Sequence, residues 1–302
     1  MRVVVAGGTG FLGAALARSL RESGNDVTVL SRRPRGSGQA AWDPADPAGA
    51  WTKVIDGSDA VVNLAGEPLD AGRWTAARKA SILDSRRLAT GAIVRAIAQA
   101  QHPPGVLLNA SAIGIYGPRG DELVTEATGT EEAAAAGDFL AGVCRAWEGE
   151  ALAASARSRV VLLRTGLVLD RHDGALPRLA MPFRFGAGGP VGSGRQWWSW
   201  IHVDDWVSIV RWALATPQLS GPVNLTAPQP VTNREFARTL GRALRRPAFM
   251  PAPAPALRLL LGEMADALIL NGQRVVPARA TAGGFRFRYE TLDAALRALY
   301  LA

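Results

Sequence analysis

The sequence predicts an α/β fold, a doubly wound parallel sheet with a smaller C-terminal lobe. At the N-terminus, the β-branched run Met1–Ala6 passes through a glycine-rich turn into an apolar helical pattern. Through the first half of the chain, short apolar runs alternate with helix-length patterns, which is typical of parallel strands covered by helices on both faces. The irregular stretch 186–200, rich in glycine and tryptophan, marks the change to the second lobe.

The glycine-rich turn has the spacing that a dinucleotide-binding domain requires. Gly7, Gly10 and Gly13 fit G-x-x-G-x-x-G, and Gly8, Gly10 and Gly13 fit G-x-G-x-x-G. Glycine lets the backbone turn tightly and approach a pyrophosphate, and the following helix presents free N–H groups to it. The sequence therefore predicts a Rossmann domain, with a cofactor on Gly7, Thr9, Gly10, Phe11, Leu12 and Gly13.

The end of the second predicted strand, Asp26–Ser31, indicates which dinucleotide binds. A carboxylate here would bind the ribose hydroxyls of NAD, but the sequence has Ser31, Arg32 and Arg33. A guanidinium group can bind a 2′-phosphate through two N–H groups. The residues therefore favour NADP(H) over NAD(H). The alternative is that both arginines are ordinary surface residues.

The remaining elements follow from apolar runs and helical periodicity. In the first half we expect strands at 39–42, 59–64, 105–110 and 159–164, and helices over about 75–100 and 130–156. In the second half we expect strands at 201–203 and 222–225, and helices through about 215, from 232, and over about 255–270 and 291–299. The predicted NADP-binding domain is 1–166 with 201–227 returning to it, and the predicted substrate lobe is 167–200 and 228–302.

Composition excludes several classes of protein. The 302 residues are 48% hydrophobic, enough for a sizeable core, but have no apolar run long enough to cross a membrane. The net charge is +8, yet no block of five or six basic residues occurs, so we expect neither a nucleic-acid nor a membrane partner. One cysteine excludes an internal disulfide, and we see no signal peptide. We therefore expect a cytoplasmic protein.

Several motifs in order carry a resemblance over nearly the whole chain. They are NLAGEPL (63–69), SRR (85–87), SAIGIYG (111–117), DFLAGVCRAWE (138–148), RTGLVL (164–169), SWIHVDD (199–205) and GFRF (284–287). With the glycine loop, they resemble the short-chain dehydrogenase/reductase superfamily, whose extended branch contains the NAD-dependent epimerases and dehydratases. Within it, the chain is most similar to an atypical family whose members are mostly named "epimerase family protein".

The resemblance implies which residues surround the nicotinamide cofactor. It places Asn63, Leu64, Ala65 and Gly66 against the cofactor. It also places Arg164, at the end of the sixth predicted strand, near the nicotinamide. On the substrate side we expect Glu67, Arg184, Arg195, Gln196 and Trp198. A cleft covered by tryptophan and arginine suits a flat or anionic molecule.

The acid–base pair of the wider superfamily, Tyr-x-x-x-Lys, is absent. The chain has three tyrosines, Tyr116, Tyr289 and Tyr300, and none has a lysine four residues later. Its two lysines are Lys53 and Lys79. Any acid–base chemistry must therefore use other groups.

In the resembling family, a cysteine commonly takes the lysine position and an arginine replaces an upstream asparagine. This implies Cys144 and Arg86 as catalytic candidates. Ser111 is expected to hydrogen-bond a substrate carbonyl or hydroxyl, with Tyr116 or Cys144 assisting proton transfer. The alternative is that Cys144 is a small buried apolar residue and Tyr116 a packing aromatic. Cys144 would favour its thiolate form only if it faces the nicotinamide near arginines.

Two functions remain open. The first is an NADP(H)-dependent oxidoreductase or epimerase acting on a small polar substrate. The second is a non-catalytic NADP(H)-binding redox sensor or regulatory protein, which the missing Tyr-x-x-x-Lys supports. Three histidines and one cysteine do not form a metal cluster, so we expect no metal. The helices over 75–100 and 130–156 are candidates for pairing two subunits in a homodimer, as in related folds.

Overall fold

A computed structural model describes residues 1–301 of the chain. Its strands are β1 (Arg2–Ala6), β2 (Asp26–Ser31), β3 (Gln39–Ala41), β4 (Ala60–Asn63), β5 (Val106–Ala112), β6 (Leu123–Val124), β7 (Arg159–Thr165), β8 (Leu167–Leu169), β9 (Trp197–Trp198), β10 (Trp200–His202), β11 (Gly221–Leu225), β12 (Val231–Thr232) and β13 (Arg274–Val275). Its α-helices are α1 (Phe11–Glu22), α2 (Thr52–Ile55), α3 (Ala76–Gln99), α4 (Glu131–Ala135), α5 (Phe139–Leu152), α6 (Leu176–Arg184), α7 (Val203–Ala215), α8 (Asn233–Leu244), α9 (Ala254–Leu261), α10 (Glu263–Ala265), α11 (Ala278–Ala282) and α12 (Leu292–Tyr300).

Seven strands form one parallel sheet in the order β11-β7-β5-β4-β1-β2-β3. The chain runs to one side from β1 through β2 to β3, and then returns to build the other side from β4. The reversal lies between β1 and β4, where Ala6 pairs with Asn63. Crevices at the carboxyl ends of the strands beside such a reversal are where doubly wound sheets bind ligands. The predicted fold class is therefore confirmed.

Both faces of the sheet are buried, because the strands are continuous apolar runs whose successive side chains point to opposite faces. Val3 and Val5 of β1 pack with Leu16 of α1 and Trp206 of α7. Val4 of β1 belongs to the opposite cluster, which α3 and α5 cover. Each fully buried Val or Leu side chain contributes roughly 1.5–3 kcal/mol, so the sheet is a rigid support for its carboxyl edge.

The second lobe has a core of its own, built on α6, α8 and α12. Trp198 of β9 and Phe236 of α8 pack edge to face with ring centroids 4.8 Å apart. The chain also returns to the first lobe, because β11 joins the large sheet and β13 pairs with β6. We therefore propose the same two domains as from the sequence: a dinucleotide-binding domain of residues 1–166 and 201–227, and a second lobe of residues 167–200 and 228–302.

Two helices predicted as continuous are divided in the structure. The prediction of one continuous helix over 130–156 was wrong. Gly137, with a φ of +82°, lies between α4 and α5 and separates them. Asp138 then begins α5 as its N-cap, accepting a hydrogen bond from the N–H of Ala141 at 2.8 Å. The helix expected over about 255–270 likewise breaks at Gly262, with a φ of +62°, and continues as α10 and a π-helix over 266–270. In residues 1–301, no helix is both long and apolar enough to cross a membrane.

Candidate functional site

The loop between β1 and α1 forms a cradle that only glycine can line. Gly7 has a φ of +76°, and a Cβ atom on it would lie 2.8 Å from the carbonyl carbon of Leu64. A Cβ atom on Gly13 would lie 2.3 Å from the carbonyl oxygen of Gly7. Gly10 is the exposed N-cap of α1, and within residues 1–301 no side chain caps this helix. The N–H groups of its first turn are therefore available to a phosphate.

The other loop residues expected at the cofactor lie on the same edge of the sheet. Thr9 is exposed at the tip of the loop. Phe11 and Leu12 begin α1 and are partly buried against the core cluster on that face. The structure thus brings all six predicted loop residues together at the carboxyl end of β1. A pyrophosphate fits this cradle because its glycines carry no side chain that would keep a phosphate from the backbone N–H groups.

The end of β2 presents two unpaired arginines beside a buried serine. Ser31 is 7% exposed, and its Oγ atom accepts a hydrogen bond from the N–H of Arg33 at 3.2 Å. Arg32 and Arg33 are exposed, and neither has an ion-pair partner among residues 1–301. The residues that follow β2 therefore offer two guanidinium groups to an anionic ligand.

Asn63, at the end of β4, holds the next loop in place through a buried hydrogen-bond network. Its side-chain amide donates to Thr90 Oγ1 at 2.9 Å and to Asn109 Oδ1 at 2.7 Å. Its side-chain oxygen Oδ1 accepts a hydrogen bond from the N–H of Ala65 at 3.2 Å. Asn63 is fully buried, so its geometry supports positioning of Leu64–Gly66 rather than direct contact with a ligand.

A buried ion pair lies beneath Ser111 at the end of β5. Ser111 Oγ donates to Glu148 Oε1 at 2.6 Å, and Arg164 donates to both oxygens of Glu148, from Nε and Nη2, at 2.9 Å each. Ser111, Glu148 and Arg164 are only 4–6% exposed. Burial acts to lower the pKa of Arg164, but the hydrogen bonds and charge of Glu148 outweigh it, and the pKa is raised. Arg164 therefore keeps its positive charge inside the protein, against Glu148.

Tyr116 and Arg164 continue this network away from Ser111. Arg164 Nη1 donates to Tyr116 Oη at 2.9 Å, and Tyr116 Oη donates to Asn224 Oδ1 at 2.8 Å. The N–H of Asn224 donates in turn to Glu126 Oε1 at 3.0 Å. Tyr116 is fully buried, and burial raises its pKa although Arg164 opposes this. The geometry thus supports a packing and positioning role for Tyr116, and the contacts of Arg164 lie inside the protein.

Cys144 of α5 lies beside Ser111 of β5, and its thiol is neutral. Burial raises its pKa to about 12, and the charge of Glu148 adds to the shift, while the backbone of Ala112 and the charge of Arg86 oppose it. Cys144 is 4% exposed and belongs to a small apolar cluster with Ile115 and Tyr116. The condition under which its thiolate would be favoured is therefore not met, despite the nearby arginine.

Arg86 of α3 enters the same region from the side of the β4 loop. Its guanidinium carbon lies 4.9 Å from the centre of the Trp147 ring, and Gly66 lies against its side chain. Glu67, the next residue of the loop, forms an ion pair with Arg78 instead. The structure therefore brings Arg86, Ser111, Cys144 and Glu67 together at the carboxyl edge of the sheet.

The remaining predicted substrate residues are not part of this group. Trp198 packs on Phe236 in the core of the second lobe. Gln196 bridges two backbone segments, donating to the carbonyl oxygens of Val191 at 3.0 Å and Ile269 at 3.1 Å. Their contacts support the architecture of the second lobe. Arg184 and Arg195 are exposed on that lobe.

Two groups that complete the network are not among the site residues predicted from the sequence. Glu148 lies four residues after Cys144, and therefore on the same face of α5, which is a signal that could have identified it. Asn224 lies on β11, more than 100 residues after Tyr116, and nothing in the local sequence links the two. Within residues 1–301 no cluster of His, Cys, Asp and Glu could hold a metal ion.

The glycine cradle, the strand order and the carboxyl-edge site define an NAD(P)-binding protein of the Rossmann class. The chain belongs to the NAD dependent epimerase/dehydratase family, whose family model matches residues 3–225. A second model, a domain of unknown function (DUF1731), matches residues 252–299. The resemblance expected from the motifs is confirmed.

Relatives and a solved structure are similar to this chain over nearly all of its length. "Epimerase family protein SDR39U1 homolog, chloroplastic" of Arabidopsis thaliana is 42% identical over 310 residues, covering 99% of this chain and 86% of that protein. Epimerase family protein YfhF of Bacillus subtilis is 39% identical, covering 99% and 98%. The crystal structure of human epimerase family protein SDR39U1 with NADPH has a TM-score of 0.92 and 36% identity, covering 100% and 99%. Because one relative is described as chloroplastic, a cytoplasmic location stays a prediction.

Proposed function

We propose that the protein is an NADP(H)-dependent oxidoreductase or epimerase acting on a small polar substrate. The observation that carries the proposal is the pairing of the glycine cradle with two unpaired arginines, Arg32 and Arg33, at the end of β2. The NADPH in the structure of the human relative supports the same choice of dinucleotide. When bound, the cofactor supplies or accepts a hydride, and the protein supplies binding, orientation and proton transfer.

The chain divides cofactor binding among three loops at the carboxyl edge. The loop Gly7–Gly13 and the first turn of α1 bind the pyrophosphate through backbone N–H groups. Arg32 and Arg33 bind the 2′-phosphate, while Ser31 orders the backbone that carries them. Leu64–Gly66, held by Asn63, forms the wall next to the reacting end.

We infer that Ser111 and Glu148 perform the proton transfer for which the wider superfamily uses Tyr-x-x-x-Lys. Ser111 donates its own proton toward Glu148 Oε1, so its oxygen lone pairs remain free to accept a proton from a substrate hydroxyl. As the substrate hydroxyl loses its proton to Ser111 Oγ, the serine proton passes to Glu148. Arg164 holds this carboxylate in position and is itself held by Tyr116, while Cys144 is neutral.

A second candidate function is a non-catalytic NADP(H)-binding sensor. The observation that favours it is the low exposure of Ser111, 4%, together with the internal hydrogen bonds of its neighbours. Both candidates require the same cofactor site, so the cofactor is tested first. Turnover of a substrate then distinguishes the two candidates. An enzyme turns over a substrate and loses that activity in Ser111→Ala, whereas a sensor turns over none.

The double substitution Arg32→Ala/Arg33→Ala tests the choice of cofactor. Losing these charge-assisted contacts should weaken NADPH binding by roughly 10- to 100-fold and leave NADH binding within about threefold. The measurement is a fluorescence titration of both nucleotides at fixed ionic strength.

A matched control is Arg238→Ala/Arg286→Ala, which removes two exposed arginines elsewhere and changes the net charge equally. We expect the control to bind NADPH as the unsubstituted protein does. If the two double variants lose NADPH affinity equally, the effect is general electrostatics and Arg32 and Arg33 do not select the cofactor.

A further inference from the structure

Arg86 is a buried cation without an anion. It is 9% exposed, and its one hydrogen bond within residues 1–301 runs from Nη1 to the carbonyl oxygen of Ile82 at 3.0 Å. No carboxylate of the described chain lies within ion-pair distance of it. Burial lowers the pKa of Arg86, and the charge of Arg78 acts in the same direction, whereas the charge of Glu67 opposes it. An arginine nonetheless remains protonated in proteins.

The other buried charges of the protein are compensated. Arg164 and Glu148 form a bidentate pair. Glu126 accepts hydrogen bonds from the backbone N–H groups of Asn224 and Arg279, and the carboxylate of Asp205 accepts two further backbone N–H groups. Burying a charge without a partner is costly, so an arginine left in this state points to a partner that is not part of the chain.

The surroundings of Arg86 hold its guanidinium group in one place. Its Cζ atom lies over the ring of Trp147, 4.9 Å from the ring centre, and the indole N–H of Trp147 donates to Thr90 Oγ1 at 2.9 Å. On the loop side is Gly66, where a Cβ atom would lie 3.2 Å from Cζ of Arg86. A guanidinium group fixed in this way loses little conformational freedom when it binds a planar anion through two N–H groups.

We propose that Arg86 binds a carboxylate group of the substrate, next to the atom that reacts at Ser111. This inference rests on the proposed function and names the substrate class within it, small carboxylic acids. The cofactor's phosphates already have the glycine loop and the arginines that follow β2. Arg86 instead lies over Trp147, which is next in the chain to Glu148, the hydrogen-bond partner of Ser111. The anion that Arg86 binds is therefore at the reacting end of the site.

The test is a titration of malonate into the protein already saturated with NADPH, followed by the fluorescence of the bound nucleotide. Malonamide, the neutral analogue, serves as the control ligand. We expect malonate to bind and malonamide not to bind. Arg86→Gln should weaken malonate binding at least about tenfold and leave the affinity for NADPH within about threefold. Arg87→Gln, the exposed neighbour on α3, should change neither.

Stability separates this role from a structural one. Because the charge is uncompensated, Arg86→Met should keep or raise the melting temperature of the ligand-free protein. A marked fall in melting temperature would overturn the proposal by showing that the arginine holds the fold.

Each other result of the malonate and NADPH titrations has its own meaning. If malonate does not bind, or binds Arg86→Gln equally well, Arg86 is not a carboxylate site. If Arg86→Gln weakens NADPH binding tenfold, its anion is a cofactor phosphate and the proposal is overturned. If the unsubstituted protein binds no NADPH, the proposed function itself fails.

Discussion

Glu148→Gln should destabilise the protein by about 3–5 kcal/mol, because it leaves the buried guanidinium group of Arg164 without its counter-charge. The substitution preserves size and one hydrogen-bond acceptor, so the loss reports the charge rather than a cavity. Arg164 is 6% exposed, and water cannot take the place of the carboxylate. Urea unfolding of the ligand-free protein measures the effect as a change in the free energy of unfolding.

The exposed pair Arg258–Asp266 provides a matched control. It is also bidentate, with hydrogen bonds of 2.8 and 2.9 Å, but its side chains are 55% and 38% exposed. Asp266→Asn should therefore cost no more than about 1 kcal/mol. Equal losses in Glu148→Gln and Asp266→Asn would contradict a special role for the buried pair.

Gly13→Ala should impair cofactor binding and stability together. The added methyl group would lie 2.3 Å from the carbonyl oxygen of Gly7 and 2.7 Å from Cα of Gly8, and both neighbours are backbone atoms that cannot rotate away. The loop must shift, at an expected loss of about 1–3 kcal/mol in unfolding free energy. Since the cradle shifts too, the affinity for NADPH should fall about tenfold or more.

Gly142→Ala on α5 is the corresponding control. A Cβ atom there meets nothing within 4 Å, so alanine should raise stability by about 0.5–1 kcal/mol through its better helix propensity. NADPH binding should be unchanged. A Gly13→Ala protein that binds NADPH with unchanged affinity would show that the closeness of the loop to α1 is not needed for the cofactor.

Short sequence patterns correctly predicted the glycine loop and the strands of the large sheet, because neighbouring residues determine these elements. The glycine spacing and the strand before it identified the cradle, because a tight turn beside a helix N-terminus leaves few residue choices. Short apolar runs identified the strands of the sheet to within a few residues. The single helix expected over 130–156 was wrong because Gly137 and Asp138 interrupt it, although the alanine-rich sequence on either side favours a helix.

The candidate site beyond the cofactor loops depends on contacts between distant residues. Ser111 and Glu148 are 37 positions apart, and Tyr116 and Asn224 are 108 apart. No spacing rule links such residues, since the fold alone brings β5, α5 and β11 together. For the same reason, sequence could name Arg86 as a candidate but could not reveal that its charge is buried and unpaired. The sequence predicted Trp198 and Gln196 on the substrate side, but Trp198 packs in the core of the second lobe and Gln196 joins two of its backbone segments.

We propose that the carboxyl edge of this sheet binds NADP(H) in preference to NAD(H). Isothermal titration of the unsubstituted protein with NADPH and NADH, in one buffer at one ionic strength, tests it most directly. Two guanidinium groups against a 2′-phosphate should make NADPH bind at least about tenfold more tightly than NADH. Equal affinities, tighter binding of NADH, or no binding of either nucleotide would contradict the claim.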